Sequence, residues 1–237
     1  FVLSLAVEGG ALAHSWRAGA CSGPAFQDDY ACLINGLIDL YEADFDGRWL
    51  LEAATLAEAM LERFRDPDAG GFFLAEPSHG TPLARSKSPT DGVTPSGNSS
   101  AALGLARLSR FLARADLWGA AVETIGALGG MAAQAPRAFE NLLIAAHFTL
   151  SEPREIVLAG QQTDAALADM RGLLSRTFLP ESIIAWHDPA LPLPVTQGKT
   201  GGDDLAAAFV CRNYACQAPV YSAKDLAELL GLPRCGD

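Results

Sequence analysis

Residues 87–107 read KSPTDGVTPSGNSSAALGLAR, a polar loop rich in Gly and Pro that runs directly into an amphipathic helix. At such a helix start, unpaired backbone N–H groups meet the positive end of the helix dipole. That combination favours the binding of a polar or anionic group. The loop is therefore the first candidate site in the chain, although the pattern by itself names no reaction.

Hairpins of two amphipathic helices are predicted on both sides of this loop. Apolar residues recur every three to four positions, which is typical of helices with one buried face. The pattern predicts helices near residues 28–43, 48–64, 98–113, 116–132 and 137–149. A weak repeat of about 70 residues relates the first two helices to the next two, and repeated hairpins of this kind close into rings or stack into solenoids.

Short strands are predicted before each pair of helices. ALAHSWRAG (11–19) reads as a strand before the first pair. GFFLAE (71–76) and LARSK (83–87) read as two strands of a hairpin across the loop EPSHGTP. We therefore expect each repeat to be a small β-excursion followed by two helices.

The character of the chain changes near Pro153. Alternating strand and helix patterns follow it: REIVLAG (154–160), TDAALADMRGLLSRTF (163–178), SIIAWHD (182–188), AAAFVCR (206–212) and SAKDLAELLGL (222–232). This order predicts a small, largely parallel sheet covered by helices. The expected fold is mainly α, with a helical-hairpin region over 1–152 and a small α/β module over 153–237.

Composition restricts the partners. The formal net charge of −11 and the lack of any basic run argue against nucleic acid. We expect no membrane span, because every apolar stretch is too short for one. The start, FVLSLAVEGG, lacks an initiator Met and reads as the end of a helix that begins earlier, so we interpret the chain as a fragment.

Five scattered cysteines do not fit a secreted disulfide framework, so a reducing cytoplasm is the expected location. Cys211 and Cys216 form a C-x4-C pair. That spacing matches neither a redox C-x-x-C motif nor a zinc knuckle. We interpret the pair as two half-buried thiols on and after a strand, with a metal or redox site as the alternative, and we expect no bound metal.

Two adjacent acids, Asp28 and Asp29, fall in the first turn of the first predicted helix. Capping and the helix dipole account for one carboxylate. Two carboxylates exceed what capping requires. We therefore interpret one of them as a general acid or base, or as an acceptor for a sugar hydroxyl.

The strand before this helix carries His14, Trp16 and Arg17. Strand alternation places His14 and Trp16 on one face and Arg17 on the other. Trp16 beside paired acids suggests a platform for a sugar ring, and an ordinary core tryptophan is the alternative.

The loop of the second repeat supplies the other candidates for binding, which are Arg85, Lys87, Asp91, Ser96 and Asn98. Ser96 or Asn98 alone is explained as a helix cap. The two basic residues share a predicted strand face and can point toward Asp91. A ligand site and an exposed salt-bridge cluster would look the same in the sequence.

No common catalytic motif offers an easier assignment. The chain has no Ser-His-Asp order, P-loop, G-x-G-x-x-G or H-E-x-x-H motif. His147, on an apolar helix, and His187, after a strand, are interpreted as structural, with a catalytic role as the alternative. We expect no cofactor.

Several segments together resemble one family. They are HSWRAG, QDDYA, LYEADFDGRWLLEA, FRDPDAGGFF, RSKSPTDGVTPSGNSSAAL, PREIVLAG and AFVCRNYACQAPV. In this order they are similar to the thioredoxin-domain-containing spermatogenesis-associated proteins and their bacterial homologues. The resemblance spans essentially the whole chain, and its DG-x-x-PSGNS block is the most specific part.

The resemblance implies that residues 1–152 are the C-terminal portion of a larger, partial α/α toroid related to the six-hairpin glycosidases and the N-acylglucosamine 2-epimerases. The same resemblance implies a preceding thioredoxin-like domain, which we expect to lie outside this chain. It also implies a sugar or other polar small molecule as ligand. The epimerases use paired histidines, and this chain has no such pair at its helix starts. Carbohydrate binding or hydrolysis is then the broader expectation. The alternative is a non-catalytic scaffold that presents the thioredoxin-like domain for redox or chaperone work.

One geometric expectation separates the two hypotheses. In stacked hairpins, equivalent helix starts lie at the same end of neighbouring inner helices. A binding site therefore requires Asp29 to lie near the loop 91–98, with Arg85 or Lys87 reaching over it.

Overall fold

The computed structural model describes residues 2–5, 7–8, 11–77, 84–201 and 205–232. The chain divides into two compact units. The first unit contains residues 1–109 and 114–149, and the second contains residues 110–113 and 150–237. Each unit has its own helices and its own sheet.

A three-stranded antiparallel sheet begins the first unit. Its strands are β1 (Val7–Glu8), β2 (Ala11–Arg17) and β3 (Ala20–Pro24), in the order β1-β2-β3, and they follow a short helix α1 (Val2–Leu5). Ala18 and Gly19 both have positive φ and form the tight two-residue connection between β2 and β3. The predicted strand at 11–19 is confirmed.

Five longer helices form the rest of the first unit. They are α2 (Gln27–Asp44), α3 (Arg48–Phe64), α4 (Gly97–Leu112), α5 (Ala115–Gln134) and α6 (Glu140–Leu150). The first four lie within two residues of the predicted bounds. The fifth begins later than predicted, because Pro136–Ala138 forms a separate 3-10 turn ahead of it.

Helices α2 and α3 form a hairpin with a shared apolar core. The buried face of α2 carries Tyr30, Ile34, Leu37, Ile38 and Tyr41, and the facing helix buries a similar set that ends at Phe64. The periodicity of the sequence predicts an apolar face of Leu33, Ile34, Leu37, Leu40 and Tyr41. Of these, Ile34, Leu37 and Tyr41 are buried, whereas Leu33 is half-buried and Leu40 is exposed. Each fully buried aliphatic side chain contributes about 1.5–3 kcal/mol through the hydrophobic effect.

The starts of α2 and α4 lie side by side and run in the same direction. The side-chain amide of Gln27 donates to the carbonyl of Gly97 at 3.0 Å, and that of Asn35 donates to the carbonyl of Ser100 at 2.8 Å. The fit is tight, because a Cβ added at Gly97 would lie 2.0 Å from Oε1 of Gln27. Equivalent helices of the two hairpins are therefore direct neighbours at their N-termini.

The predicted hairpin of GFFLAE and LARSK is not found in the described residues. The described residues of the two segments form no strand, and residues 78–82 of the intervening loop, together with Leu83, lie outside the part that the structure describes. The two segments still meet, since the backbone N–H of Leu74 donates to the carbonyl of Ser86. The prediction failed because the backbone of segment 71–76 bonds to scattered partners, both main-chain groups such as Phe64 and Ser86 and the side chain of Asn98, so no continuous ladder joins the described parts of the two segments.

A four-stranded mixed sheet forms the second unit. Its strands are β4 (Arg154–Ala159), β5 (Ser182–Trp186), β6 (Ala207–Arg212) and β7 (Ala215–Cys216), in the order β5-β4-β6-β7. Helices α7 (Ala165–Ser175) and α8 (Ala223–Leu230) complete the unit. The prediction of a largely parallel sheet was wrong: β4 and β5 are parallel, whereas β6 returns antiparallel to β4 and β7 antiparallel to β6.

No helix of the described residues is long and apolar enough to cross a membrane. The architecture is mainly helical with a small α/β part, as the sequence predicts.

Candidate functional site

A cleft of about 400 Å³ opens in the first unit where β2 crosses the start of α2. Side chains from α1, β2, α2 and the loop before α4 line it: Val2, Leu12, Ala13, His14, Ser15, Trp16, Asp28, Asp29, Cys32, Leu33, Thr94 and Pro95. We call it the His14–Asp29 cleft. Its volume lies within the range of small-molecule sites.

One oxygen of Asp29 carries two interactions. Its Oδ2 accepts a hydrogen bond from the backbone N–H of Phe26 at 2.8 Å, which caps the first turn of α2. The same oxygen is 2.8 Å from Nδ1 of His14 on β2. Asp29 therefore joins the helix start to the strand and orients the imidazole.

His14 becomes more basic in this setting. The hydrogen bond to Asp29 raises the pKa of the imidazole above its ordinary value of 6.5, and the negative charges of Asp29 and Asp28 act in the same direction. Half of the side chain is exposed. Its Nε2 makes no hydrogen bond to any described residue, so that atom is available to a ligand as proton donor or acceptor.

Asp28 is the less committed of the two acids. Its Oδ1 accepts a hydrogen bond from the backbone N–H of Asp29 at 3.2 Å. The other oxygen has no hydrogen-bond partner among the described residues. Capping therefore accounts for Asp29, and Asp28 is the carboxylate that can face a ligand.

Trp16 and Arg17 separate as strand alternation predicts. The ring of Trp16 lines the cleft and is 41% exposed, which excludes the alternative of a core tryptophan. Arg17 is exposed at the end of β2 and is not part of the cleft lining.

The two basic candidates lie in a different part of the first unit. Arg85 donates from Nε to the carbonyl of Ala75 and from Nη2 to that of Arg63, each at 2.8 Å. Lys87 donates to the carbonyl of Gly70 and pairs with Asp66 at 2.7 Å. Both cations hold the segment 63–75, and neither lines the cleft.

The Lys87–Asp66 pair has a clear electrostatic signature. The hydrogen bond from Lys87 lowers the pKa of Asp66 from 3.8 to about 2, assisted by the backbone N–H groups of Ala69 and Asp68. The carboxylate of Asp66 is thus ionised under all ordinary conditions. This internal ion pair accounts for the presence of Lys87 without a ligand.

Asp91 and Ser96 shape the loop before α4. The carboxylate of Asp91 accepts from the backbone N–H groups of Ser96 and Asn141, both at 2.8 Å. The hydroxyl oxygen of Ser96 accepts from the backbone N–H of Ser99 at 3.0 Å, which makes Ser96 the cap of α4.

Asn98 is buried, and its side-chain amide bonds to the backbone of Phe72 in the way that a neighbouring strand would. Its Oδ1 accepts from the backbone N–H of Phe72 at 2.8 Å, and its Nδ2 donates to the carbonyl of the same residue at 3.0 Å. This is the two-bond exchange that a neighbouring strand would make. Asn98 is absent from the cleft lining, although Thr94 and Pro95 of the same loop belong to it.

The structure thus brings part of the predicted set together. Trp16, Asp28 and Asp29 line one cleft, whereas Arg17, Arg85, Lys87, Asp91, Ser96 and Asn98 do not. Sequence reasoning underrated His14 and did not single out Cys32. The sequence did contain a signal for His14. It lies on the strand directly before the helix that begins with two acids, and a strand that folds back against that helix meets its first turn.

The second unit has a separate cleft of about 470 Å³ beyond the ends of β4 and β5. Gly160, Gln161, Gln162, Trp186, His187, Pro189, Thr200, Gly201 and Leu205 line it. Nδ1 of His187 is buried there without a hydrogen-bond partner among the described residues. Residues 202–204 lie outside the described residues.

The cysteine pair differs from the prediction of two thiols. Cys211 and Cys216 form a disulfide, because the register of β6 and β7 places them directly opposite each other. Cys235 lies outside the described residues. In the part of the chain that is described, no group of three or more His, Cys, Asp or Glu residues could hold a metal ion.

Comparison with known proteins gives relatives but no activity. No family model matches the chain. Spermatogenesis-associated protein 20 of Homo sapiens is 31% identical over 229 residues, which are 94% of this chain and 29% of that protein. The protein of the same name in Mus musculus is 30% identical over 215 residues, covering 86% of this chain and 27% of its own length.

An uncharacterized protein of Caenorhabditis elegans is 26% identical over 209 residues, which are 86% of this chain and 28% of that protein. The chain therefore spans less than a third of the length of these relatives. The similarities support the family that the sequence motifs resemble.

Proposed function

Since this chain is similar to spermatogenesis-associated protein 20 over almost its whole length, we propose that it is a carbohydrate-binding part of a protein of that family. In this proposal the hairpins α2–α3 and α4–α5 belong to an α/α toroid. The parallel, directly contacting starts of α2 and α4 support that arrangement. The thioredoxin-like domain and the cytoplasmic location stay predictions from the sequence.

A single observation carries the proposal. One cleft combines an exposed tryptophan ring with a carboxylate that has a free oxygen and with an imidazole oriented by a second carboxylate. An apolar ring face beside hydrogen-bond acceptors matches a sugar, which offers C–H groups on one face and hydroxyl groups around its edge. The acidic lining favours neutral over anionic ligands.

The roles of the residues follow from their contacts. Trp16 stacks on the sugar ring, and Asp28 accepts hydrogen bonds from its hydroxyl groups. His14 is the group that can transfer a proton, because Asp29 holds Nδ1 and leaves Nε2 directed to a ligand. Any catalysis in this cleft is therefore acid–base chemistry by His14, with Asp29 as its positioning residue.

The scaffold hypothesis is the second candidate, and one observation favours it for the loop before α4. Five polar side chains of that region, from Arg85 to Asn98, make internal contacts that hold the loop and the segment 63–75. Those contacts give the loop a structural role without any ligand. The scaffold hypothesis predicts no saturable binding of sugars.

A thermal-shift screen against neutral mono- and disaccharides tests the proposal. A ligand present at 100 times its Kd adds about 2.7 kcal/mol to the free energy of unfolding. Sugar acids and amino sugars form the comparison arms. Hits should be neutral sugars, and their binding should weaken at least about tenfold in Trp16→Ala and in Asp28→Asn.

Asp169→Asn serves as the matched control, because Asp169 is exposed on α7, far along the chain from the cleft. Its variant should bind like the unchanged protein. If no sugar binds up to about 10 mM, or if the control and Asp28→Asn lose the same affinity, the carbohydrate proposal is wrong.

A further inference from the structure

The hairpin of β6 and β7 carries a disulfide at its second pair of residues beyond the turn. Asn213 and Tyr214 have φ values of 48° and 62°, which makes them the two central residues of a tight hairpin turn. Arg212 pairs with Ala215 next to the turn, and Cys211 pairs with Cys216 one step further. The two sulfurs are bonded across the strands.

The stability of the fold does not explain this bond well. A disulfide stabilises a protein mainly by closing a loop in the unfolded chain, and the gain is smallest for short loops. Here the loop closes over a sequence separation of only five residues. The backbone turn and the strand ladder already hold these residues together in the folded state.

Side-chain contacts hold the turn in place independently of the sulfurs. The carboxylate of Glu155 accepts a hydrogen bond from the backbone N–H of Tyr214 at 3.1 Å, and Oδ1 of Asn213 accepts one from Arg110 at 3.3 Å. Arg110 also pairs with Glu155 and lies 4.8 Å from the ring centre of Tyr214. None of these contacts involves a sulfur atom, so we expect the hairpin to keep its place when the S–S bond is broken.

The two sulfur atoms differ in accessibility. Cys216 is exposed on β7, which is two residues long and lies at the edge of the sheet. Cys211 is 1% exposed on β6. An incoming thiolate can thus reach one sulfur only, and directed attack on one sulfur is typical of disulfides that exchange.

We propose that Cys211 and Cys216 form a reversible redox pair that exchanges with an external dithiol, small molecule or protein, with Cys216 as the attacked residue. The thiolate of the dithiol bonds to Sγ of Cys216, and the S–S bond to Cys211 breaks. Cys211 leaves as a thiolate and takes a proton from water. The second thiol of the reagent then displaces Cys216, so two electrons pass to the protein and the reagent becomes a disulfide.

Reduction of the unchanged protein tests the proposal directly. Dithiothreitol is the probe, and alkylation followed by peptide mass analysis measures the fraction of reduced Cys211 and Cys216. The pair should be reduced in native buffer at least about tenfold faster than the chain unfolds, and its far-ultraviolet circular dichroism should stay unchanged. Mixtures of reduced and oxidised dithiothreitol should give one reversible two-electron transition.

A structural disulfide gives the opposite result. Its reduction rate would equal the rate of global unfolding, measured separately after a jump into urea, and native protein would stay oxidised in every mixture. Either finding overturns the proposal.

Two single-cysteine variants test which sulfur is attacked, in a Cys21→Ser, Cys32→Ser, Cys235→Ser background. In Cys211→Ser the exposed Cys216 thiol should react with an aromatic disulfide reagent at least about tenfold faster than the Cys211 thiol of Cys216→Ser. Equal rates in the two folded variants contradict the assignment of Cys216. If either variant does not fold, the reduction rate of the unchanged protein decides the proposal alone.

Discussion

At the scale of single residues, the contact between Asp29 and His14 determines how the cleft responds to pH. The raised pKa of His14 means that the imidazolium is retained to higher pH in the folded protein than in the unfolded chain. The stabilisation from this contact is therefore complete below about pH 6.5, the unfolded value, and is lost as pH rises through the folded pKa.

Asp29→Asn should lower the pKa of His14 back toward 6.5. The asparagine oxygen can still cap the helix by accepting from Phe26, but the negative charge beside the imidazole is gone. An NMR titration of the imidazole signals measures the effect, with His14→Gln to assign them. An unchanged His14 pKa in the variant would show that the contact does not form in solution.

The pair of Lys87 and Asp66 gives an effect of the opposite sign. A carboxyl whose folded pKa is about 2 and whose ordinary value is 3.8 stabilises the fold above pH 4, and that contribution disappears as pH falls toward 2. Lys87→Met removes the hydrogen bond that is the largest cause of the lowered pKa of Asp66. The variant should lose less stability than the unchanged protein between pH 4 and pH 2.

Urea unfolding at a series of pH values measures this difference. Lys224→Met is the control, because Lys224 is exposed on α8. Its acid dependence should match that of the unchanged protein. Parallel stability curves for Lys87→Met and the control would contradict the pairing.

At the scale of elements, the close approach of α2 and α4 leaves no room for a side chain at Gly97 unless Gln27 moves. A Cβ there would lie 2.0 Å from Oε1 of Gln27 and 3.0 Å from Cβ of Asp28. Gly97→Ala should lower the free energy of unfolding by about 1–3 kcal/mol, because the buried amide of Gln27 must rotate and give up its hydrogen bond to the carbonyl of Gly97. It should also weaken ligand binding, since the added methyl group presses on Asp28.

Gly119→Ala is the matched control within a helix. Nothing lies within 4 Å of a Cβ at Gly119 on α5, so alanine should raise stability by up to about 1 kcal/mol through helix propensity. Both changes are measured by urea unfolding at one pH. Equal effects of the two substitutions would show that α2 and α4 are not in contact at Gly97.

The helices could be predicted from the sequence because each carries an apolar face with a regular period, as in Ile34, Leu37 and Tyr41 of α2. The segment around Phe72 could not. Its apolar residues read as a strand, yet its backbone is satisfied by the side chain of Asn98, which no local pattern indicates. The disulfide escaped prediction for a related reason, since spacing says nothing about strand register.

At the scale of the whole molecule, helix α4 contributes residues to both compact units. Its residues up to Ser109 belong to the first unit, whereas Arg110–Ala113 belong to the second. In the second unit, Arg110 forms an ion pair with Glu155, which is fully buried on β4. The second unit therefore includes residues that lie some forty positions before its main segment. A single boundary at residue 152 does not describe such a division.

Glu155→Gln should destabilise the protein by about 3–5 kcal/mol, because it removes the carboxylate that pairs with the buried guanidinium of Arg110. The double variant Arg110→Met, Glu155→Gln should recover a large part of that loss, since neither charge then remains buried. Urea unfolding of the three proteins measures both effects. A single variant as stable as the unchanged protein would show that water reaches the pair.

The thiol of Cys32 gives the His14–Asp29 cleft a built-in chemical footprint. It lies in the cleft wall one helical turn after Asp28, so an occupied cleft would shield it from alkylation. The Cys32 side chain is exposed, and partial burial of its thiol raises the pKa above the ordinary value, which slows alkylation at neutral pH. Cys21 is exposed and not part of the lining, and so serves as an internal standard. Ligands can therefore be sought in unfractionated metabolite extracts by peptide mass alone, before anyone has guessed their identity.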